Sequence, residues 1–101
     1  MKRVIVTKRA SIRLEELFSY LENEWSEKVK NDFIKKFDNA IYQIQKYPKI
    51  APKSYIINDL HKYVVTKQTS IIYRIDEKSI TILTIFDNRM DPINIKKLKK
   101  K

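Results

Sequence analysis

The sequence contains no cysteine, a single histidine and no long apolar run. Without cysteine it forms neither disulfides nor thiolate metal sites, and with His61 as its one imidazole a structural zinc site is not expected. No apolar run approaches the roughly 20 residues that span a bilayer, and the run near the start is too short for a signal peptide. We therefore expect a cytoplasmic protein without metal, cofactor or membrane association.

Glycine is also absent, which has two consequences. The glycine-rich phosphate loops of P-loop and dinucleotide-binding enzymes are excluded, so a nucleotide-driven enzyme of either kind is excluded. Turns that require a positive φ must use Asn or Asp instead. The candidate positions are Asn58-Asp59 and Asp87-Asn88.

Positive charge dominates the composition. Against 12 Asp and Glu stand 22 Lys and Arg, which gives a formal net charge of +10 over 101 residues. Most of the acidic residues lie between positions 15 and 38, whereas residues 46–74 are strongly basic, and residues 96–101 form a basic tail that we expect to be frayed. The length fits one domain, 1–101, and the charge asymmetry indicates a polyanionic or acidic partner.

Two amphipathic helices are predicted in the first half of the chain. Apolar residues spaced by three and four form one face of the first helix: Ala10, Leu14, Leu17, Phe18, Leu21 and Trp25. The second helix has the same kind of face: Val29, Phe33, Phe37, Ala40, Ile41 and Ile44. Thr7 or Ser11 caps the first helix and Ser26 caps the second, which ends at Tyr47 because Pro48 follows. A short link makes them an antiparallel hairpin, and we expect four aromatic side chains in the core: Phe18, Trp25, Phe33 and Phe37.

Strands are predicted at residues 3–7, 60–66, 70–75 and 80–86, where Val, Ile, Tyr, Thr and Phe are frequent. The last three have short connections and should form an antiparallel meander. Alternation puts one set of side chains on one face, Ser70, Ile72 and Arg74, and the other set on the opposite face, Ile71, Tyr73 and Ile75. The expected α+β fold has the order β-α-α-β-β-β, a two-helix hairpin on a small, mostly antiparallel twisted sheet.

Several short motifs occur in this order along the chain: the Ala10, Leu14, Leu17, Tyr20 and Leu21 helix, the Tyr47-Pro48 break, Leu60 and Tyr63 at a strand start, Ile72-Tyr73-Arg74-Ile75, and Phe86-Asp87-Asn88-Arg89. Together they resemble the toxin subunits of the RelE/ParE superfamily from bacterial type II toxin–antitoxin systems. The resemblance covers essentially the whole chain. It implies a toxin that is neutralised by a cognate antitoxin in a hetero-oligomer.

The resemblance has two branches with different targets. RelE-like members bind the ribosome and cut mRNA, using basic residues and a general acid or base, whereas ParE-like members share the fold but inhibit DNA gyrase. Arg89 lies where RelE-like enzymes place an arginine that stabilises the phosphate. A planar guanidinium is well suited to binding phosphate. The family's second strand arginine would fall near Ser70, and Arg74 lies four residues further on. Where RelE-like enzymes place Tyr or His beyond Arg89, residues 90–95 contain neither.

Each candidate residue also has a structural interpretation. Arg89 either pairs with Asp87 or Asp91 or contacts the target, and the sequence leaves both open. Tyr73 is expected in the core or on a sheet face rather than as a general acid. His61 is expected at the surface, because charged residues flank it.

Because a general acid and one cation are missing, the ParE-like interpretation is slightly favoured, with gyrase as the target. The residues expected to bind the target are Arg89, Arg74, Lys62, Lys67, Lys96 and Lys97. The alternative is a RelE-like, ribosome-dependent mRNA endoribonuclease, in which Arg89, His61 and Asp91 would be catalytic. A third alternative is a basic nucleic-acid-binding protein without toxicity. Whether the protein is an enzyme stays open at this stage.

Overall fold

The computed structural model describes residues 2–52 and 59–89. Its elements follow in the order β1 (Arg3–Val6), α1 (Lys8–Glu24), α2 (Glu27–Lys46), a 3-10 turn (Pro48–Ile50), β2 (Leu60–Val64), β3 (Thr69–Ile75) and β4 (Ser79–Asp87). The predicted order β-α-α-β-β-β is confirmed. Within the described residues no helix is both long and apolar enough to cross a bilayer. The predicted basic tail, 96–101, lies outside the described residues.

Local sequence signals set the helix ends. The Thr7 hydroxyl accepts a hydrogen bond from the Ala10 amide at 3.1 Å, so Thr7 rather than Ser11 caps α1. Ser26 caps α2 in the same way, with its Oγ 3.0 Å from the Val29 nitrogen. At the other end Tyr47 is the C-cap of α2, as the following proline predicts.

The four strands form one mixed sheet in the order β1-β4-β3-β2. β1 runs parallel to β4, and the other two pairs are antiparallel. The parallel pair requires a crossover, and α1 and α2 provide it by packing on one face of the sheet. β1 and β2 are therefore the two edge strands, and the sheet face away from the helices carries the outward-pointing side chains.

The core lies between the helices and the sheet. Its helical members are Ala10, Leu17, Leu21, Phe33, Phe37, Ala40 and Ile44, and its strand members are Ile71, Tyr73, Ile80, Ile82 and Ile85. Phe18 packs against them in a partly buried position, as expected. The prediction for Trp25 was wrong, because its side chain is 59% exposed. Trp25 is the C-cap of α1 with φ −123° and ψ −88°, so it leaves the helical path before its side chain reaches the apolar face.

A β-bulge in β4 changes which of its residues face the core. Ile72 pairs with Thr84 but Tyr73 pairs with Ile82, which leaves Leu83 as an extra residue in β4. The buried side chains therefore change from even-numbered to odd-numbered positions, from Ile80 and Ile82 to Ile85 and Asp87. Without the extra residue, the carboxylate at position 87 would point away from the core.

Positive φ in this glycine-free chain falls on an acidic residue, as expected. Asp59 has φ 65° and is the one described residue in the left-handed region. Asp87 and Asn88, the other proposed pair, both lie outside that region.

Candidate functional site

Arg89 lies just beyond β4 and binds the buried carboxylate of Asp87. Its Nη2 donates to Asp87 Oδ2 at 2.9 Å, and its Nε donates to Oδ1 at 3.3 Å. The backbone amide of Arg89 adds a third hydrogen bond to Oδ1 at 2.9 Å. The Asp87 side chain is 1% exposed and that of Arg89 is 21% exposed. The arginine therefore covers the buried carboxylate and supplies a counter-charge to it.

Thr69, at the start of β3, completes the site. Its hydroxyl donates to Asp87 Oδ2 and lies 3.5 Å from Arg89 Nη2. Burial raises the pKa of Asp87. Hydrogen bonds from Arg89 and Thr69, together with the charge of Arg89, lower it by more, so the pKa of Asp87 is below its usual value. The carboxylate is therefore ionised at neutral pH. Of the two partners expected for Arg89, Asp87 is the one observed, while Asp91 lies outside the described residues.

His61 is buried, and the prediction that it lies at the surface was wrong. The residue is 7% exposed, and its Nδ1 donates to the Ala51 carbonyl oxygen at 2.7 Å. Its ring stacks on Tyr73 with 5.2 Å between centroids. The register explains the error, because His61 pairs with Tyr73 on the core side of the β2–β3 ladder, while its neighbour Lys62 points outward.

Tyr73 is fully buried, which confirms its assignment to the core or sheet face. Its hydroxyl donates to the Pro48 carbonyl oxygen at 2.6 Å, and burial raises the pKa of the phenol. It is four positions from Thr69 in β3, a distance of about 13 Å along a strand. His61 and Tyr73, the two ring side chains considered above for proton transfer, are therefore not brought to Arg89.

The sheet face away from the helices collects two of the predicted target-binding cations. Lys62 pairs with Ile72 and Leu60 pairs with Arg74, so Lys62 and Arg74 point to the same side. Arg74 is held by Asp76, with Nε 2.9 Å from Oδ1, and its side chain is still 47% exposed. Two apolar side chains on this face are also exposed, Val64 at 60% and Phe86 at 41%. We call this surface the outer face.

The remaining predicted cations are placed differently. Lys67 is exposed in the turn between β2 and β3, at the end of the sheet that carries Arg89. Lys96 and Lys97 lie outside the described residues. Across residues 2–52 and 59–89, no cluster of His, Asp or Glu side chains has the geometry of a metal site.

The fold is shared with solved toxin structures. It is similar to the chromosomal ParDE toxin–antitoxin system from P. aeruginosa, with a TM-score of 0.74, 15% identity, and coverage of 86% of this chain and 96% of that chain. It is also similar to YafQ from E. coli strain BL21(DE3), with a TM-score of 0.61, 7% identity, and coverage of 88% and 96%. A third similar structure is the YoeB dimer from Staphylococcus aureus, with a TM-score of 0.57, 13% identity, and coverage of 84% and 94%. These likenesses define the RelE/ParE-like toxin fold.

The sequence itself gives the narrower assignment. A family model described as the ParE toxin of type II toxin–antitoxin systems, parDE, matches residues 4–92. The chain therefore belongs to the ParE toxin family of type II toxin–antitoxin systems. A search of curated protein sequences gave no match.

Sequence reasoning missed Thr69 as a partner of Asp87 and Arg89. The two strand ends meet because Thr69 pairs with Asp87 in the β3–β4 ladder. That pairing depends on the bulge at Leu83, for which the sequence gives no clear signal. The Asp-x-Arg spacing of Asp87 and Arg89 was visible in the sequence, which offered this ion pair as one of two open interpretations, and the structure shows the pair.

Proposed function

We propose that this toxin arrests growth by binding DNA gyrase without cutting a bond itself, and that a cognate antitoxin neutralises it in a cytoplasmic hetero-oligomer. The observation that carries the proposal is the internal ion pair of Arg89. Its guanidinium is engaged by Asp87 and lies against Thr69, so it is largely committed to the fold. Membership of the ParE family and the likeness to a ParDE structure support the same target class.

RNA cleavage would require a different arrangement. Transfer through the 2′-hydroxyl needs a base near that hydroxyl, cations on the phosphate and an acid for the leaving oxygen. The imidazole of His61 and the phenol of Tyr73 are buried and hydrogen-bonded to backbone carbonyls. Among the described residues, these two side chains therefore serve the fold rather than a phosphate at Arg89. Asp91, the third catalytic candidate, stays a prediction.

The outer face is the proposed gyrase-binding surface. It offers Lys62 and Arg74 beside exposed Phe86 and Val64, a combination of cations and apolar anchors that protein interfaces use. Lys67 extends the positive charge toward Arg89. Binding by such a surface needs no proton transfer, which fits the engaged state of Arg89.

Two assays with the purified protein test the target. In a supercoiling assay the toxin should inhibit gyrase, and with translating ribosomes it should leave labelled mRNA intact. Cuts at defined codon positions would instead establish the endoribonuclease alternative, with Arg89, His61 and Asp91 as the residues to examine. Unimpaired growth at high soluble expression would contradict both toxin mechanisms and favour the third alternative, a basic nucleic-acid-binding protein.

A pair of double variants tests the surface. Lys62→Ala with Lys67→Ala should weaken gyrase inhibition about tenfold, because each lost contact of a cation contributes on the order of 0.5–1 kcal/mol. Lys35→Ala with Lys36→Ala removes the same charge from exposed positions of α2, on the other side of the sheet. Equal inhibition by the two double variants would mean that the outer face is not the binding surface.

A further inference from the structure

An open cleft lies where α2 ends, well away from the outer face. It has a volume of about 460 Å³ and is bounded by the end of α2, the 3-10 turn and the end of β3. Its apolar lining comes from Tyr47, Pro48, Ile50 and Ile75. Tyr47 is 53% exposed and Ile50 is 48% exposed, so much of this apolar surface faces solvent. We call it the α2-end cleft.

Three lysines also line the α2-end cleft, and we call them its rim: Lys2, Lys46 and Lys49. The side chain of Lys2 is held in place, with its Nζ 2.6 Å from the Asp76 carbonyl oxygen. Lys46 Nζ lies 5.7 Å from the ring centroid of Tyr42 and 5.5 Å from that of Tyr47. None of the described residues that line the cleft contributes a carboxylate. The cleft therefore combines an apolar lining with three cations.

The backbone of the 3-10 turn that lines the cleft, and of Ala51 after it, is held by buried side chains from the sheet. The Tyr73 hydroxyl donates to the Pro48 carbonyl oxygen at 2.6 Å, and His61 Nδ1 donates to that of Ala51 at 2.7 Å. The Ile50 amide closes the turn on the Tyr47 carbonyl oxygen at 2.9 Å. A surface that is already ordered before binding loses little conformational entropy when a partner arrives. The two residues considered as acid or base candidates thus shape this cleft.

The position of the cleft separates it from the proposed target surface. Ile75 and Thr69 are at opposite ends of β3, about 20 Å apart along the strand. The Arg89 site is at the Thr69 end, and the cleft is at the Ile75 end. The cleft also lies on the helix side of the sheet, whereas Lys62 and Arg74 point to the outer face. One partner can therefore occupy the cleft without covering the other surface.

We propose that the α2-end cleft docks an acidic segment of the antitoxin, which inserts one apolar side chain against Pro48 and Ile50. Its flanking carboxylates would meet Lys46 and Lys49. Charge complementarity supports this occupant, because the rim is cationic on a toxin of net charge +10. A nucleic acid fits less well, since the Lys46 ammonium already lies over the Tyr42 and Tyr47 rings that bases would need for stacking. The inference rests on the antitoxin of the proposed function and does not depend on gyrase.

The test compares two charge-reversed double variants of the full chain. Lys46→Glu with Lys49→Glu changes the rim of the cleft, and Lys35→Glu with Lys36→Glu makes the same change in net charge elsewhere on α2. Residue 36 is about 15 Å from residue 46 along the helix. The probe is the purified antitoxin encoded beside the toxin gene, labelled for fluorescence anisotropy. Circular dichroism melting establishes that both variants are folded.

The cleft variant should bind the antitoxin at least tenfold more weakly than the control variant, while gyrase inhibition and growth arrest match those of the control. Equal loss of antitoxin affinity in both variants would overturn the inference, because it would reduce the effect to overall charge. Loss of gyrase inhibition with unchanged antitoxin affinity would also overturn it, since the cleft would then belong to the target. A ten-residue thymidine oligonucleotide that binds the control but not the cleft variant would do the same.

Failure of the proposed target leaves this test intact. If the wild-type toxin does not inhibit gyrase, growth arrest replaces supercoiling as the measure of toxicity, and the antitoxin titration is unchanged. If the cleft variant keeps full antitoxin affinity while the wild-type toxin inhibits gyrase, only the docking inference is lost.

Discussion

Replacing Arg89 by alanine should destabilise the fold, because it removes a charged partner of the buried Asp87 carboxylate. Removing one partner of a buried ion pair costs about 3–5 kcal/mol. The Arg89 side chain is 21% exposed and Thr69 still donates to the carboxylate, so we expect about 2–3 kcal/mol here. For a domain of this size that corresponds to a melting temperature lower by roughly 10–20 °C.

A double-mutant cycle isolates the pair. Asp87→Asn alone should cost about 1–2 kcal/mol, because the amide oxygen still accepts from Thr69 and the freed guanidinium reaches solvent. Asp87→Asn combined with Arg89→Ala should be more stable than Arg89→Ala alone, because no buried charge remains. The coupling energy should then exceed the cost of Asp87→Asn and be about 2 kcal/mol or more.

Urea unfolding followed by far-UV circular dichroism is the suitable assay, because the single tryptophan, Trp25, is 59% exposed and reports poorly on the core. The reasoning is refuted if Arg89→Ala unfolds within about 0.5 kcal/mol of wild type, since that is the range of ordinary surface substitutions. Arg89→Lys serves as the control that keeps the charge but loses the planar fork.

The pH dependence provides a second measurement of the same pair. Because the folded pKa of Asp87 is lowered, its contribution to stability is present above the unfolded value of about 4. That contribution is lost as the pH falls through the lower, folded pKa. The free energy of unfolding of Asp87→Asn should therefore depend less on pH below 4.

A reduction in toxicity of Arg89→Ala must be corrected for the amount of folded protein before it is assigned to target binding.

Two further predictions concern residues that shape the sheet. Tyr73→Phe should cost about 1 kcal/mol in urea unfolding, because the Pro48 carbonyl loses its donor. Burial raises the folded pKa of Tyr73. The stability that Tyr73 contributes is therefore present below about pH 10 and is lost as the pH rises further. Tyr73→Phe should accordingly lose less stability than wild type in alkali. An unchanged alkaline profile would contradict this. Deleting Leu83 removes the bulge and turns Ile85 and Asp87 outward, so the variant should be insoluble or unfolded by circular dichroism, whereas Leu83→Ala should fold.

The sequence predicted the elements well because their signals are local. Helix periodicity, the Ser26 cap and the Tyr47-Pro48 break each depend on residues within a turn or two of one another. Alternation in β3 correctly placed Ile71 and Tyr73 inward and Arg74 outward. Local signals of this kind suffice for element order.

The errors depend on neighbours that are distant in sequence. His61 is buried because β2 pairs with β3 in a register that places it opposite Tyr73, although its own flanking residues are exposed. Asp87 is buried because Leu83 is an extra residue in the ladder with β3. Trp25 continues the helical spacing, but its backbone has already left the helix. The sequence therefore identified Arg89 as a candidate residue, but it did not predict how Asp87 and Thr69 are arranged around it.

The pairing of the first strand with the last has a consequence for synthesis of the toxin. Arg3 is opposite Ser79 and Val6 is opposite Ile82, so β1 has no partner until β4 has left the ribosome. At about 5–20 residues per second, β1 is exposed for several seconds before the sheet can close. The ladder that carries the outer face and the Asp87–Arg89 pair also needs β4, so neither can form before that strand has been synthesised. Both features thus appear only at the end of synthesis, after the helices are complete.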